Sequence, residues 1–172
     1  AISGYFGLEL GNDENVPRVT EWIADSTAKA TAKGQALGFK KARLTQYVKD
    51  HQYDAAFPIA TEFLRTGSLA HLFDKAWPYQ VQVARDNDLD LIMYEGGTHV
   101  TGLGQQINND AFTEFFVALN YSAEMGALYR ELLAGWHTSG GTVFNAYTDV
   151  GTPGKWGSWG GFALSGRQQS AA

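Results

Sequence analysis

"LDLIMYEGGTHVTGLG", residues 89–104, is the stretch on which the reading of this chain turns. An apolar run suited to a buried strand over 89–95 ends in Tyr94-Glu95-Gly96-Gly97-Thr98-His99. Side chains alternate along a strand, so Leu91, Met93 and Glu95 are expected on one face and Ile92 and Tyr94 on the other. The first face would run from packed interior to a carboxylate at the strand's C-terminal tip. Two readings follow. Glu95 is either a solvated or salt-bridged strand end, or an acid held out for chemistry. Gly96 and Gly97 fit both, because a tight turn and a ligand approaching the backbone each call for glycine.

Outward from this stretch, the chain alternates strand signals with long helical ones. "AISGYF", residues 1–6, reads as a strand, and "TVFNAYT", residues 142–148, as another rich in β-branched and aromatic residues. Between the first two strands, Val16, Val19, Trp22 and Ile23 outline one helical face, with Pro17 in the first turn. Residues 26–54 turn to Ala, Thr, Lys, Gly and Gln and read as helical pieces outside the core; "DAAFPIATEFLRTG", residues 54–67, reads as a short helix closed by Gly67, and about 26–66 together as a helical insertion or connection. Ser68 is placed to cap a helix whose stripe is Leu69, Leu72, Phe73, Ala76 and Trp77, with a kink expected at Pro78. After the central strand, Phe112, Phe115, Phe116 and Leu119 mark one helix. Met125, Leu128, Tyr129, Leu132, Leu133 and Trp136 mark the next, with Ser122 as its cap.

Connections of this length are too long for hairpins and predict parallel strands joined by helical crossovers. The fold class is therefore α/β, read as one unit over 1–172. A complete eight-stranded (β/α)8 barrel takes about 250 residues, so three strands leave two options. One is a small open sheet. The other is a partial (β/α)8 TIM barrel, roughly its last three β/α units. Barrel enzymes carry catalytic groups at the C-terminal ends of their strands, which is where Glu95 is expected.

Composition narrows the function. The 172 residues carry a net charge of −5, with no basic run beyond Lys40-Lys41, so binding driven mainly by nucleic-acid phosphates is not expected. Cysteine is absent, which removes disulfides, thiolate nucleophiles and Cys-based zinc sites. No apolar run reaches the length of a membrane span. The first ten residues read as a strand rather than a signal peptide, and the chain is expected to begin inside a folded element. "GLGQQI" lacks the third glycine of a dinucleotide fingerprint, and no phosphate-binding GK[ST] occurs. No cofactor is expected. A metal at Glu95 and His99 is not expected either, because that spacing converges on a helix and not across two glycines.

Several residues can accompany Glu95. Ser3 and Tyr5 share a face of the first strand, and a Tyr5 hydroxyl beside Glu95 would orient it and favour its ionised form; core packing is the alternative. Asn145 and Tyr147 share a face near the end of the last strand, where Asn145 could bind a substrate hydroxyl or a neighbouring backbone group. "KWGSWGGF", residues 155–162, sets Trp156 and Trp159 among glycines. Their rings suit stacking on the apolar faces of pyranoses, or plugging the end of the sheet.

"YEGGTH", followed by "MGALYRELLAGW", "GGTVFNAYTDVG" and "KWGSWG", resembles the C-terminal part of secreted bacterial (β/α)8-barrel proteins related to retaining glycoside hydrolases of the large acid/nucleophile clan. "AISGYFG" resembles their sixth-strand region. The resemblance implies Glu95 as nucleophile at the end of the seventh strand, and Trp156 or Trp159 as the aromatic lining of the sugar site. It implies a carbohydrate ligand and an extracellular or periplasmic location; with it, Tyr5 is expected to orient Glu95, and His99, Asn145 and Tyr147 to join the tryptophans as sugar contacts. The clan's acid/base is a Glu following Asn near the fourth strand's end. "DENV", residues 13–16, lies in a loop instead, so that half of the site and the N-terminal half of the barrel are expected to lie outside this chain.

The resulting expectation is a glycoside hydrolase-like barrel segment acting on polysaccharide, inactive alone and prone to aggregate through uncovered strand edges. A non-catalytic carbohydrate-binding protein on the same scaffold is the alternative. A complete small α/β domain in which Glu95 caps a turn is a third.

Overall fold

The computed structural model describes residues 1–159 and 162–163. Its centre is a three-stranded, wholly parallel sheet of β1 (Ile2–Phe6), β2 (Met93–Thr98) and β3 (Phe144–Ala146), in the order β1-β2-β3. Between β1 and β2 the chain runs through α1 (Val16–Ala36), α2 (Lys41–His51), α3 (Phe57–Leu64) and α4 (Trp77–Asp86); between β2 and β3 it runs through α5 (Asp110–Asn120) and α6 (Ala123–Thr138). Parallel neighbours joined by helical crossovers are what the connection lengths required. A second parallel pair, β4 (Val150–Gly151) with β5 (Phe162–Ala163), follows in the tail. Among the described residues no helix is long and apolar enough to cross a membrane.

One continuous core joins the sheet to its helices. Phe6 and Met93 come from the strands, Leu64, Leu69 and Trp77 from the helical run after β1, and Phe115, Leu119, Met125, Leu128 and Leu132 from α5 and α6. Each fully buried side chain of this size contributes about 1.5–3 kcal/mol. The stripe Met125, Leu128, Leu132, Trp136 follows helical spacing and is buried along its length. Ser122 starts α6 as expected, its Oγ accepting the Met125 N–H at 3.1 Å. Asn109 does the same for α5, accepting from Phe112 N at 3.2 Å.

Other parts of the helical run depart from the sequence reading. Residues 26–66 are helical for most of their length, and the stretch read as a short helix over 54–67 enters the core through Ala56, Ala60 and Leu64. Ser68 caps no helix. It lies in a π turn, Arg65–Leu69, its Oγ accepting the Gly7 N–H at 2.9 Å and its own N–H donating to Glu9 at 3.0 Å. A second π turn, Leu72–Ala76, immediately precedes Trp77 and Pro78. The missing proline N–H is absorbed by widening the hydrogen-bond ladder there.

The central strand brings the largest correction. Strand pairing of β2 begins at Met93 and continues through both glycines to Thr98, so Glu95 stands inside the strand and not at its tip. Gly96 and Gly97 answer to packing. A Cβ on Gly96 would lie 2.8 Å from the Gly4 carbonyl oxygen, and one on Gly97, at φ 143°, 2.6 Å from the Tyr129 hydroxyl. The register also slips: Ile2 faces Met93, but Ser3 faces Glu95, leaving Tyr94 without an opposite residue. Such a bulge inverts the alternation beyond it. Met93 therefore packs over Gly4 on the helix side, while Glu95 joins Ser3 and Tyr5 on the other face. The expected Leu91/Met93/Glu95 face does not exist.

Candidate functional site

Because the strands are parallel, their C-terminal ends meet at one edge of the sheet, and the bulge sets Glu95 inside β2 on the face it shares with Ser3 and Tyr5. Tyr5 reaches it from β1. His99 follows β2, its N–H held by the Phe6 carbonyl at 2.7 Å, and Tyr147 follows β3, its N–H held by the Gly96 carbonyl at 3.0 Å. Backbone bonds across the sheet thus fix where these side chains originate. Asn145, exposed on β3, alternates with the half-buried Phe144 and lies on the same side as Tyr147.

Trp159 gathers the cluster. Its indole meets His99 at 4.6 Å between ring centroids, Tyr147 at 5.8 Å and Tyr5 at 5.9 Å, each edge to face, and Tyr5 meets His99 at 5.8 Å. Edge-to-face pairs of this spacing add about 0.5–1.5 kcal/mol beyond the area they bury. The loop carrying Trp159 is tied down by mutual hydrogen bonds of Gly154 and Gly157 at 3.0–3.1 Å and by Thr101 Oγ1 donating to the Lys155 carbonyl at 2.6 Å. Trp159 Nε1 donates to the Trp156 carbonyl at 3.1 Å, and the Thr148 N–H donates to the Trp159 carbonyl. Trp156 itself is 67% exposed, with the Lys155 ammonium 5.1 Å from its ring centre.

Electrostatics couple Tyr5 to Glu95. Burial pushes the Tyr5 phenol up to about 12, helped by the nearby Glu95 carboxylate, then by Tyr147 and Tyr94. Tyr5 therefore stays a neutral phenol beside the carboxylate at neutral pH. Burial also lowers His99 below its ordinary value, favouring the uncharged imidazole. The site can thus offer one carboxylate, a phenol donor, a neutral imidazole and apolar ring edges. Such a set suits a neutral, hydroxyl-bearing ligand.

The structure brings Tyr5, Glu95, His99, Tyr147 and Trp159 together and sets Asn145 alongside; Trp156 projects into solvent next to them. Tyr94, the bulge residue that also acts on Tyr5, and Thr101, which anchors the tryptophan loop, escaped the sequence reading. No sequence pattern marks either. Among the described residues, no group of three or more His, Asp or Glu is arranged to hold a metal ion. No family model, no curated protein and no solved structure matches this chain.

Proposed function

We propose that this chain is a glycoside hydrolase-like segment of a (β/α)8 barrel acting on polysaccharide, with Glu95 as the nucleophile-side carboxylate of a retaining mechanism. The observation that carries the reading is Glu95 acting on Tyr5 across adjacent parallel strands, walled by His99, Tyr147 and Trp159. Retaining hydrolysis uses two carboxyl groups about 5–5.5 Å apart, one attacking the anomeric carbon and one protonating the leaving oxygen. Glu95 supplies the first. In this reading Tyr5 orients it, and Trp159 and Trp156 offer ring surfaces to the sugar.

In this reading the acid/base and the remaining strands come from outside these 172 residues, and the assembled protein works outside the cell or in the periplasm. A second reading, a non-catalytic carbohydrate-binding protein, is favoured by one observation. The charged groups acting on Tyr5 include no carboxylate besides Glu95.

Glu95→Gln in the protein that contains this chain separates the two, with polysaccharide hydrolysis and polysaccharide binding measured independently. The enzyme reading expects hydrolysis to fall to background while binding persists. Tight binding by a parent that hydrolyses no polysaccharide tested gives the result to the binding protein.

A further inference from the structure

A cavity of about 370 Å³ opens between the end of β2, the start of α6 and the segment after β3, sharing Tyr147 with the ring cluster around Glu95. That is within the usual range for a small-molecule site. Its wall includes Thr98, Tyr121, Ser122, Tyr129, Tyr147 and Ser158, and no charged residue lines it. Thr98 and Ser158 are only 4% and 7% exposed. Tyr129 accepts the Thr98 N–H at 3.0 Å, which leaves its own O–H free to donate.

A cavity walled by hydroxyls and aromatic rings, with no charged group, suits an uncharged occupant that pairs with those hydroxyls. We infer that this cavity is a second binding site, taking one neutral, polyhydroxylated molecule of monosaccharide size. Hydroxyls can donate and accept in turn with the threonine, serine and tyrosine groups, while the tyrosine rings cover the ligand's apolar face. A charged ligand would lose its water and meet no counter-ion in the wall. The site rests on the cavity alone and holds whether or not Glu95 is a nucleophile.

The test is an amide NMR titration of the full chain with D-glucose and myo-inositol, and in parallel with D-glucuronate and inorganic phosphate at matched ionic strength. The neutral probes should give saturable shifts at Thr98, Ser122 and Ser158 with Kd of about 1–10 mM, and Thr98→Val should weaken binding about tenfold. Ser158→Ala serves as the independent variant if the valine protein does not fold. The inference is overturned by absence of saturable shifts with the neutral probes up to about 100 mM. Equal or tighter binding of glucuronate or phosphate overturns it too, as do shifts confined to Tyr5, Glu95 and Trp159.

Discussion

Replacing Glu95 with Gln keeps the shape of the side chain and removes its charge, which makes Tyr5 a reporter of the site's geometry. The Tyr5 phenol stands at about 12 against an ordinary 10.0, with burial as the largest cause and the Glu95 charge next. The variant should therefore lower the Tyr5 pKa while leaving it above 10.0, because burial is untouched. Two units correspond to about 2.7 kcal/mol at most, reduced by solvent screening at this half-buried ring. The sign follows from linkage: a group whose pKa is raised by folding stabilises the fold fully below pH 10.0. That contribution is lost as pH climbs toward 12. Wild type should thus lose more stability than Glu95→Gln across that window. The assay is a titration of ¹³Cζ-labelled tyrosine, with Tyr5→Phe identifying one resonance among eight tyrosines, joined to urea unfolding across the same pH range. An unchanged Tyr5 pKa in the variant would show that Glu95 does not face Tyr5. A fall all the way to 10.0 would show that burial is not the leading cause.

The remaining predictions concern the ring cluster and the core. Gly157→Ala forces a side chain onto φ 133° and sets its Cβ 2.5 Å from Trp159 Cε2. The indole should be displaced and the ring-current shifts of Tyr5 and His99 lost; unchanged shifts would contradict the packing described. Folding lowers the His99 pKa from its ordinary 6.5, so its contribution is whole above that value and is lost as pH falls below it. His99→Gln should therefore flatten the loss of stability between pH 7 and about pH 5, and an unaltered pH profile would refute the burial of this ring. Trp77, fully buried against Phe73 and Trp136, should cost about 3–5 kcal/mol when changed to Ala, read from urea unfolding; a loss below about 1 kcal/mol would remove it from the core.

Where apolar spacing alone decides an element, it was legible. The α6 stripe and its Ser122 cap follow from residue types at fixed intervals, and the parallel sheet follows from connection lengths. The phase of β2 does not follow. Alternation along 89–95 predicts Met93 and Glu95 on one face, and only the unpaired Tyr94 reverses this. Hydropathy does not record a bulge, because Tyr94 is tolerated on either side of the slip. The double glycine was equally ambiguous, since "GG" serves a turn or a close approach, and Tyr129 and the Gly4 carbonyl decide for the latter. Within the site, Tyr5, His99 and Tyr147 were readable because each lies at or near a strand end, and Glu95 because a carboxylate interrupts an apolar run, although it stands inside the strand. The place of Trp159 at their centre depends on a loop held by Thr101 and paired glycines, contacts distant in sequence and unmarked by pattern.

The central claim is that Glu95 attacks a sugar. It is tested most directly by incubating the protein that contains this chain with a 2-deoxy-2-fluoro glycoside bearing a good leaving group, then mapping the modified peptide by mass spectrometry. The mechanism forms a covalent glycosyl–carboxylate intermediate, so the account predicts one sugar adduct on Glu95 that is absent in Glu95→Gln. Hydrolysis with the adduct on another residue, or with an unmodified Glu95, would contradict it.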